Sequence, residues 1–216
     1  MESLVSSAVT QYNTDYLKVF NSVFRHSQFT SLVDASDTSI LSNITTLSIA
    51  LLYTPNTSGL FSFTVAFGNQ LNNPHSGHNS ASGGIIASTG FYIQGNTNEM
   101  FFDDDGAGNL RIYYLVTGVR TYYSSAAGTV NYTSGLVSVS PIYITSVSNV
   151  DGATSRAIRL TATPASNDIV GQRNQIIELD LVNTTISGGQ DTIAVNSAGG
   201  STGYVTNTSY VTPSSY

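Results

Sequence analysis

Leu60-Phe-Ser-Phe-Thr-Val-Ala-Phe67 decides how this chain is read. Phe61, Phe63, Val65 and Phe67 alternate with the smaller Ser62, Thr64 and Ala66. A period of two is the mark of a strand with one face in a core and one in solvent. Just upstream, Ile44-Thr-Thr-Leu-Ser-Ile-Ala-Leu-Leu-Tyr53 is rich in β-formers, and Thr54-Pro-Asn-Thr-Ser-Gly59 between the two is a turn cluster. The pair is expected to form a hairpin. Downstream, residues 68–84 read as a long polar loop. Strands are then expected at 85–93, 99–102, 110–123, 129–132, 136–147, 156–163 and 175–183. Turns rich in Gly, Asn, Asp or Pro separate them, at 95–98, 103–109, 126–128, 133–135, 149–152 and 164–168. Many short strands with such punctuation indicate an antiparallel β domain of sandwich or barrel-like form.

Before residue 43 the period is different. Leu4, Val5, Ala8, Val9, Tyr12, Tyr16, Leu17, Phe20, Val23 and Phe24 recur in steps of three and four, with no Gly or Pro between them. That spacing predicts an amphipathic helix over 3–25. Phe29, Leu32 and Val33 suggest one further helical turn, closed by a turn or cap at Asp34-Ala-Ser-Asp37. The apolar stripe of the first helix is wide, so it has to lie against the rest of the chain or against another chain. The expected organisation is a helical segment over 1–42, an antiparallel β domain over 43–186 and a Gly/Ser/Thr-rich segment over 187–216. The last is read as a frayed edge strand with a tail, or a segment that orders on a partner. The class is mainly β with an N-terminal amphipathic helix, α+β overall.

The chain has 216 residues, Lys+Arg 7, Asp+Glu 13 and no Cys or Trp. It is long enough to bury roughly 70% of its unfolded surface without a metal or disulfide staple. The absence of Cys excludes a disulfide framework, a thiol nucleophile and Cys-ligated zinc. A net charge of −6 opposes nonspecific nucleic-acid binding. Only 9% of residues are charged, against about 25% in ordinary domains. Ser (31), Thr (26), Asn (18) and Tyr (13) take their place, and Lys18 is the sole lysine. Protein interfaces are likewise rich in Tyr and poor in Lys. The composition therefore suits a protein packed among other proteins. No basic leader or apolar stretch of about 18 residues marks residues for export or for a membrane.

The densest cluster of chemistry is Phe101-Phe-Asp-Asp-Asp-Gly-Ala-Gly-Asn-Leu-Arg-Ile-Tyr-Tyr114. With Asp103 as the first ligand of a calcium loop, Asp105 fits the third position, but Ala107 and Tyr114 fall where the fifth and twelfth ligands belong. The expected structure is a hairpin loop in which Asp and Asn bond their own backbone and Gly takes positive φ. His75-Ser-Gly-His78 sits beside Pro74, which argues against a chelating helix, and reads as solvated loop. No Gly-x-Ser-x-Gly elbow occurs, and the paired glycines lack the lysine of a phosphate loop. Tyr113-Tyr114 and Tyr122-Tyr123 suggest sugar stacking, although neighbours in a strand point to opposite faces. Arg156 and Arg159 are expected on opposite faces, with ion pairs to Asp151, Asp168 or Asp180; Arg173 has the same options. No catalytic, cofactor-binding or metal-ligating residue is assigned.

Three phrases carry a resemblance. The run from Phe20 through Phe24-Arg-His-Ser-Gln-Phe29 and Val33-Asp-Ala-Ser-Asp37 to Asn43-Ile-Thr45 resembles the end of the baseplate-J-like domain of contractile-tail phages. Gly128-Thr-Val-Asn-Tyr-Thr-Ser-Gly-Leu-Val-Ser-Val139 is similar to that family's strand–turn–strand phrase, with Asn131 where Asp is usual. Residues 149–180 are similar to the C-terminal part of the T-even-type baseplate wedge proteins. The resemblance spans most of residues 15–195. It implies a non-enzymatic structural component of the virion tail baseplate, assembled in the host cytoplasm, without cofactor. Its implied partners are other copies of itself, in a dimer or ring, and other wedge proteins; nucleic acid and membrane are not among them. It also implies that the chain corresponds to a C-terminal portion of a longer protein or to the product of a split gene. A virion carbohydrate-binding or adhesin-like β module is the alternative that the Tyr pairs and the Ser/Thr-rich surface suggest.

Overall fold

The computed structural model describes residues 1–78, 84–149, 156–172 and 175–189. Helix α1 (Glu2–Tyr12) buries Val5, Val9 and Tyr12, which its pitch stacks on one face. One π-helical turn, Asn13–Leu17, follows. The helix expected over 3–25 therefore ends at Leu17. Lys18 leaves helical geometry at ψ 37°, Asn21 takes φ 61°, and the Ser22 hydroxyl donates to the Leu17 carbonyl at 2.8 Å. The wider turn carries Asn13 inward, where its side-chain oxygen accepts the Leu179 amide at 2.8 Å. Val23–Phe24, expected as helix, form the short strand β1. Helix α2 (His26–Asp34) buries Phe29 and Val33 and is a full helix where one turn was expected. The turn beyond it is as expected, with Asp37 accepting the Ser39 amide at 2.8 Å.

The strands are β2 (Ile49–Tyr53), β3 (Phe61–Ala66), β4 (Ile86–Ser88), β5 (Phe91–Ile93), β6 (Met100–Asp104), β7 (Asn109–Val116), β8 (Val119–Asn131), β9 (Leu136–Ile142), β10 (Ile144–Val147), β11 (Ile158–Ala162) and β12 (Ile169–Val170). A seven-stranded sheet runs β10-β5-β6-β7-β8-β9-β3, a three-stranded sheet runs β2-β11-β4, and β1 pairs with β12. Every pairing is antiparallel. The result is a mainly β protein with a half-barrel and an N-terminal helix.

Several expected connections are rearranged. β2 and β3 do not form a hairpin: β2 pairs with β11, Leu51 opposite Leu160, and β3 with β9, Val65 opposite Val137. The two meet only across the layers, where Tyr53 stacks on Phe63 at 3.9 Å between ring centroids. Residues 85–93 break at Thr89-Gly90. The Thr89 amide bonds Arg159 in one sheet, while the Gly90 carbonyl accepts Ser148 beside the other. Residues 110–123 are not one strand but the β7–β8 hairpin. Its turn residues Thr117 and Gly118 take φ 49° and 82°, the left-handed pair that a two-residue hairpin turn of matching twist demands. The turn expected at 126–128 lies inside β8, where pairing to β7 slips register. There Gly128 sits so close to β9 that a Cβ would overlap the Ser138 carbonyl oxygen. Residues 136–147 break at Tyr143. The strand expected over 175–183 is absent among the described residues; Ile177 and Leu179 instead pack under the helices. The segment beyond Gly189 lies outside the described residues.

Two apolar clusters hold the molecule. The larger lies between the sheets, with Phe91, Met100, Phe102, Leu110, Val137, Ile158 and Leu160 fully buried. At about 1.5–3 kcal/mol for each large side chain buried, it is the main source of stability. The smaller sits under α1 and α2, where Tyr12, Phe24 and Phe29 meet with ring centroids 5.3–5.7 Å apart and Ile169 closes the group. Ile49 packs against both clusters.

Candidate functional site

The acidic run lies on the β6–β7 hairpin, and the alternation of β6 sends its carboxylates to opposite faces. Asp103 is 1% exposed. Arg111, directly opposite in the ladder, donates to both its oxygens at 2.9 and 3.2 Å. Arg120 and the Tyr122 hydroxyl, both on β8, donate to Oδ2 at 2.9 and 3.0 Å. Rings and guanidiniums alternate beside this group. Arg111 lies 4.3 Å from the Tyr122 ring centroid, Arg120 4.6 Å from that of Tyr113, and Phe101 stacks on Tyr113 at 5.5 Å. Burial pushes the Asp103 carboxyl above its ordinary pKa, against the opposing pull of Arg111, Tyr122 and Arg120.

Asp104 faces the other way and is fully buried. Its Oδ1 accepts the Ile85 and Ile86 amides at 2.7 and 2.8 Å, and its Oδ2 accepts the Gly106 amide at 3.2 Å and the Tyr132 hydroxyl at 2.7 Å. Burial first, then the bond to Asp104, drive the ionisation of Tyr132 far upward, so this hydroxyl remains a donor. One carboxylate thereby ties the start of β4, the β6–β7 loop and the end of β8 together.

Asp105 behaves as the loop reading expects. It accepts the Ala107 and Asn109 amides at 2.8 and 3.0 Å and the Asn109 side chain at 2.6 Å. Burial works to raise its pKa, but these bonds outweigh it and hold the carboxyl below the ordinary value. Gly106 and Gly108 both have positive φ. The oxygens considered for a calcium loop are those of Asp103 and Asp105. Here Asp103 accepts from Arg111, Arg120 and Tyr122, and Asp105 from Ala107 and Asn109. Among the described residues no group of three or more His, Asp or Glu is placed to hold a metal ion.

The other candidates are scattered. His75 and His78 pair with each other, ring nitrogens 3.3 Å apart, on an exposed turn. Arg159 pairs with Asp180 at 3.3 Å, one of its expected partners, whereas Asp168 pairs with Arg25 at 3.4 Å and accepts the His26 amide at 2.9 Å. Asp151 and Arg173 lie outside the described residues. Tyr113 and Tyr114 take opposite faces, as expected; Tyr114 packs against the core. The sequence reading did not place Arg111, Arg120 and Tyr122 on Asp103 or Tyr132 on Asp104. A signal for the first was present, since Asp103 and Arg111 are equidistant from the centre of Gly106-Ala-Gly108 and a symmetric hairpin places them opposite.

A groove of ≈ 530 Å³ opens between α1, α2 and the extended chain at 39–47, floored by Val5, Val9, Phe29 and Val33. Leu41 and Ile44, which line it, are 80% and 95% exposed, and Phe20, between the π-helical turn and β1, is 69% exposed.

This segment is also where a comparison with known families finds a match. Residues 1–50 match the family described as baseplate structural protein gp6, C-terminal domain III. The match covers α1, α2 and the extended chain up to the start of β2. No curated protein matches the chain. The matched family supports a structural role in a phage baseplate and a place in the virion tail.

Proposed function

We propose that the chain is a structural component of a phage tail baseplate wedge, related to the baseplate-J-like proteins. In this reading it contacts other copies of itself in the baseplate ring and neighbouring wedge proteins, and helps transmit the rearrangement that accompanies tail contraction. It performs no catalysis and needs no cofactor, nucleic acid or membrane. It is assembled in the host cytoplasm. The helical segment over 1–42 is its first contact unit and the β domain over 43–186 its rigid body, with 187–216 as an appended segment. One observation carries the reading: the stretch that matches a baseplate structural family is the same stretch that exposes Phe20, Leu41 and Ile44.

The β domain supports it in kind. Asp103 is paired with Arg111 and Arg120, and a guanidinium lies over one face of Tyr113 and one face of Tyr122. The test is mass spectrometry of purified virions together with co-expression of the chain and the other wedge proteins of the same phage. The expected result is a chain present in the tail that co-purifies with at least one wedge protein, with the complex lost on Phe20→Ser combined with Ile44→Ser. Absence of the chain from purified tails would overturn the reading.

A further inference from the structure

Among the described residues, β3 is the outermost strand of the seven-stranded sheet, with β9 on one side only. The Phe67 amide donates to the Gly135 carbonyl at 2.8 Å, and Val65 and Phe63 lie opposite Val137 and Val139. Antiparallel ladders alternate, so Phe63, Val65 and Phe67 turn their backbone groups to β9, while Ser62, Thr64 and Ala66 turn theirs to the outer edge. On that edge the Gln172 side chain reaches the Ala66 carbonyl at 3.5 Å. Among the described residues, the backbones of Ser62 and Thr64 meet no hydrogen-bond partner, and both residues are exposed.

Open edges are templates for another strand, and proteins that stay apart guard them with Lys, Pro, bulges or short strands. Leu60–Phe67 contains no charge and no Pro. The nearby register slip puts the extra residue in β9, at Ser140-Pro141, and leaves Phe63–Ala66 regular. The opposite edge of the same sheet is guarded: β10 has four residues, and its pairing to β5 slips between Ile144 and Ser146.

We propose that the outer edge of β3 pairs antiparallel with β3 of a second copy about a two-fold axis, joining the two sheets into one. This gives the self-contact of the proposed scaffold its surface, and so rests on that reading. Self-pairing fits the strand better than a foreign partner does. Two copies of a chain of net charge −6 repel, yet along this strand no like charges face one another. An isologous contact requires the same patch on both sides, and an antiparallel strand edge is its own complement. With Ser62 of one copy opposite Thr64 of the other, each pair exchanges two backbone bonds and sets two hydroxyls side by side. Leu60 and Phe61, 66% and 41% exposed, lie at the end of the same strand and come under cover.

The test uses the full chain in sedimentation velocity over a wide concentration range, with amide exchange read at Ser62 and Thr64. Two variants are compared. Thr64→Pro removes the outward N–H, which edge strands tolerate; Thr64→Lys keeps the backbone and adds a guarding charge. The expected result is a monomer–dimer equilibrium in which both amides exchange more slowly in the dimer. Both variants are expected to weaken association at least about tenfold with unchanged monomer Tm. A chain that is monomeric throughout, or a dimer indifferent to Thr64→Lys, overturns the proposal. So does a chain that stays monomeric but binds another tail protein through Thr64. Detection in virions is measured separately, so loss of the edge contact leaves the baseplate reading standing, and absence from the tail refutes that reading alone.

Discussion

Replacing Asp104 by Ala is the most informative perturbation of the β domain. The carboxylate accepts four hydrogen bonds at full burial. Truncation leaves the Ile86 and Gly106 amides without acceptors at buried positions, at about 1–3 kcal/mol each. The Ile85 amide and the Tyr132 hydroxyl are partly buried, and about 0.5–1 kcal/mol each is the fitting magnitude where water enters. Loss of one buried charge from the folded state offsets part of this. The expected net destabilisation is about 3–4 kcal/mol, a large fraction of a typical stability of about 5–15 kcal/mol. Urea unfolding followed by far-UV circular dichroism measures it, because the chain has no Trp to report by fluorescence. Tyr132→Phe in the same assay is expected to cost only about 1 kcal/mol, since it removes one donor to Asp104 and leaves the Ile85, Ile86 and Gly106 amides satisfied. A loss below about 1 kcal/mol for Asp104→Ala would show that water or neighbouring groups replace the carboxylate, and the account of Asp104 as a tie between β4, the loop and β8 would be wrong.

Three further outcomes are expected. Asp105→Ala is expected to cost about 1 kcal/mol at neutral pH, where its three partly exposed bonds are intact. The folded carboxyl has a depressed pKa, so this contribution is full above the ordinary value of 3.8 and is lost as pH falls through the folded value; wild type and variant should converge in acid unfolding curves. Thr117→Asn is expected to stabilise by about 0.5 kcal/mol in thermal unfolding, because Asn enters the left-handed turn beside Gly118 more readily than a β-branched residue. Gly128→Ala is expected to cost about 2 kcal/mol and to loosen amide protection along β8 and β9, because its Cβ meets the backbone of Ser138.

The parts of the fold legible in the sequence are those set by local periodicity. The alternation of Phe61, Phe63, Val65 and Phe67 marks β3 to within a residue, and Val5, Val9 and Tyr12 mark the buried face of α1. Partner choice was not legible. Nothing in residues 44–67 says that β2 hydrogen-bonds to β11, more than a hundred residues away, instead of to its neighbour. The end of the first helix was hidden for a similar reason: residues 18–24 carry no Gly or Pro, and the local bond from Ser22 to the Leu17 carbonyl, together with the long-range pairing of β1 with β12, overrides a helical pattern. Thr117-Gly118 was masked by the β-rich residues on both sides, while Ala126-Ala-Gly128 looked like a turn but is a place where two strands approach too closely for a side chain. In the acidic cluster, the spacing located the hairpin loop in which Asp105 bonds its own backbone. It did not show that Asp103 and Asp104 are buried, because burial depends on Arg120 and Tyr122 arriving from β8 and Tyr132 from the turn that follows it.

Ile49 packs against both apolar clusters, the one between the sheets and the one under the helices. Helices and strands thus have a packing partner in common: a substitution that reshapes Ile49 touches both apolar interiors at once.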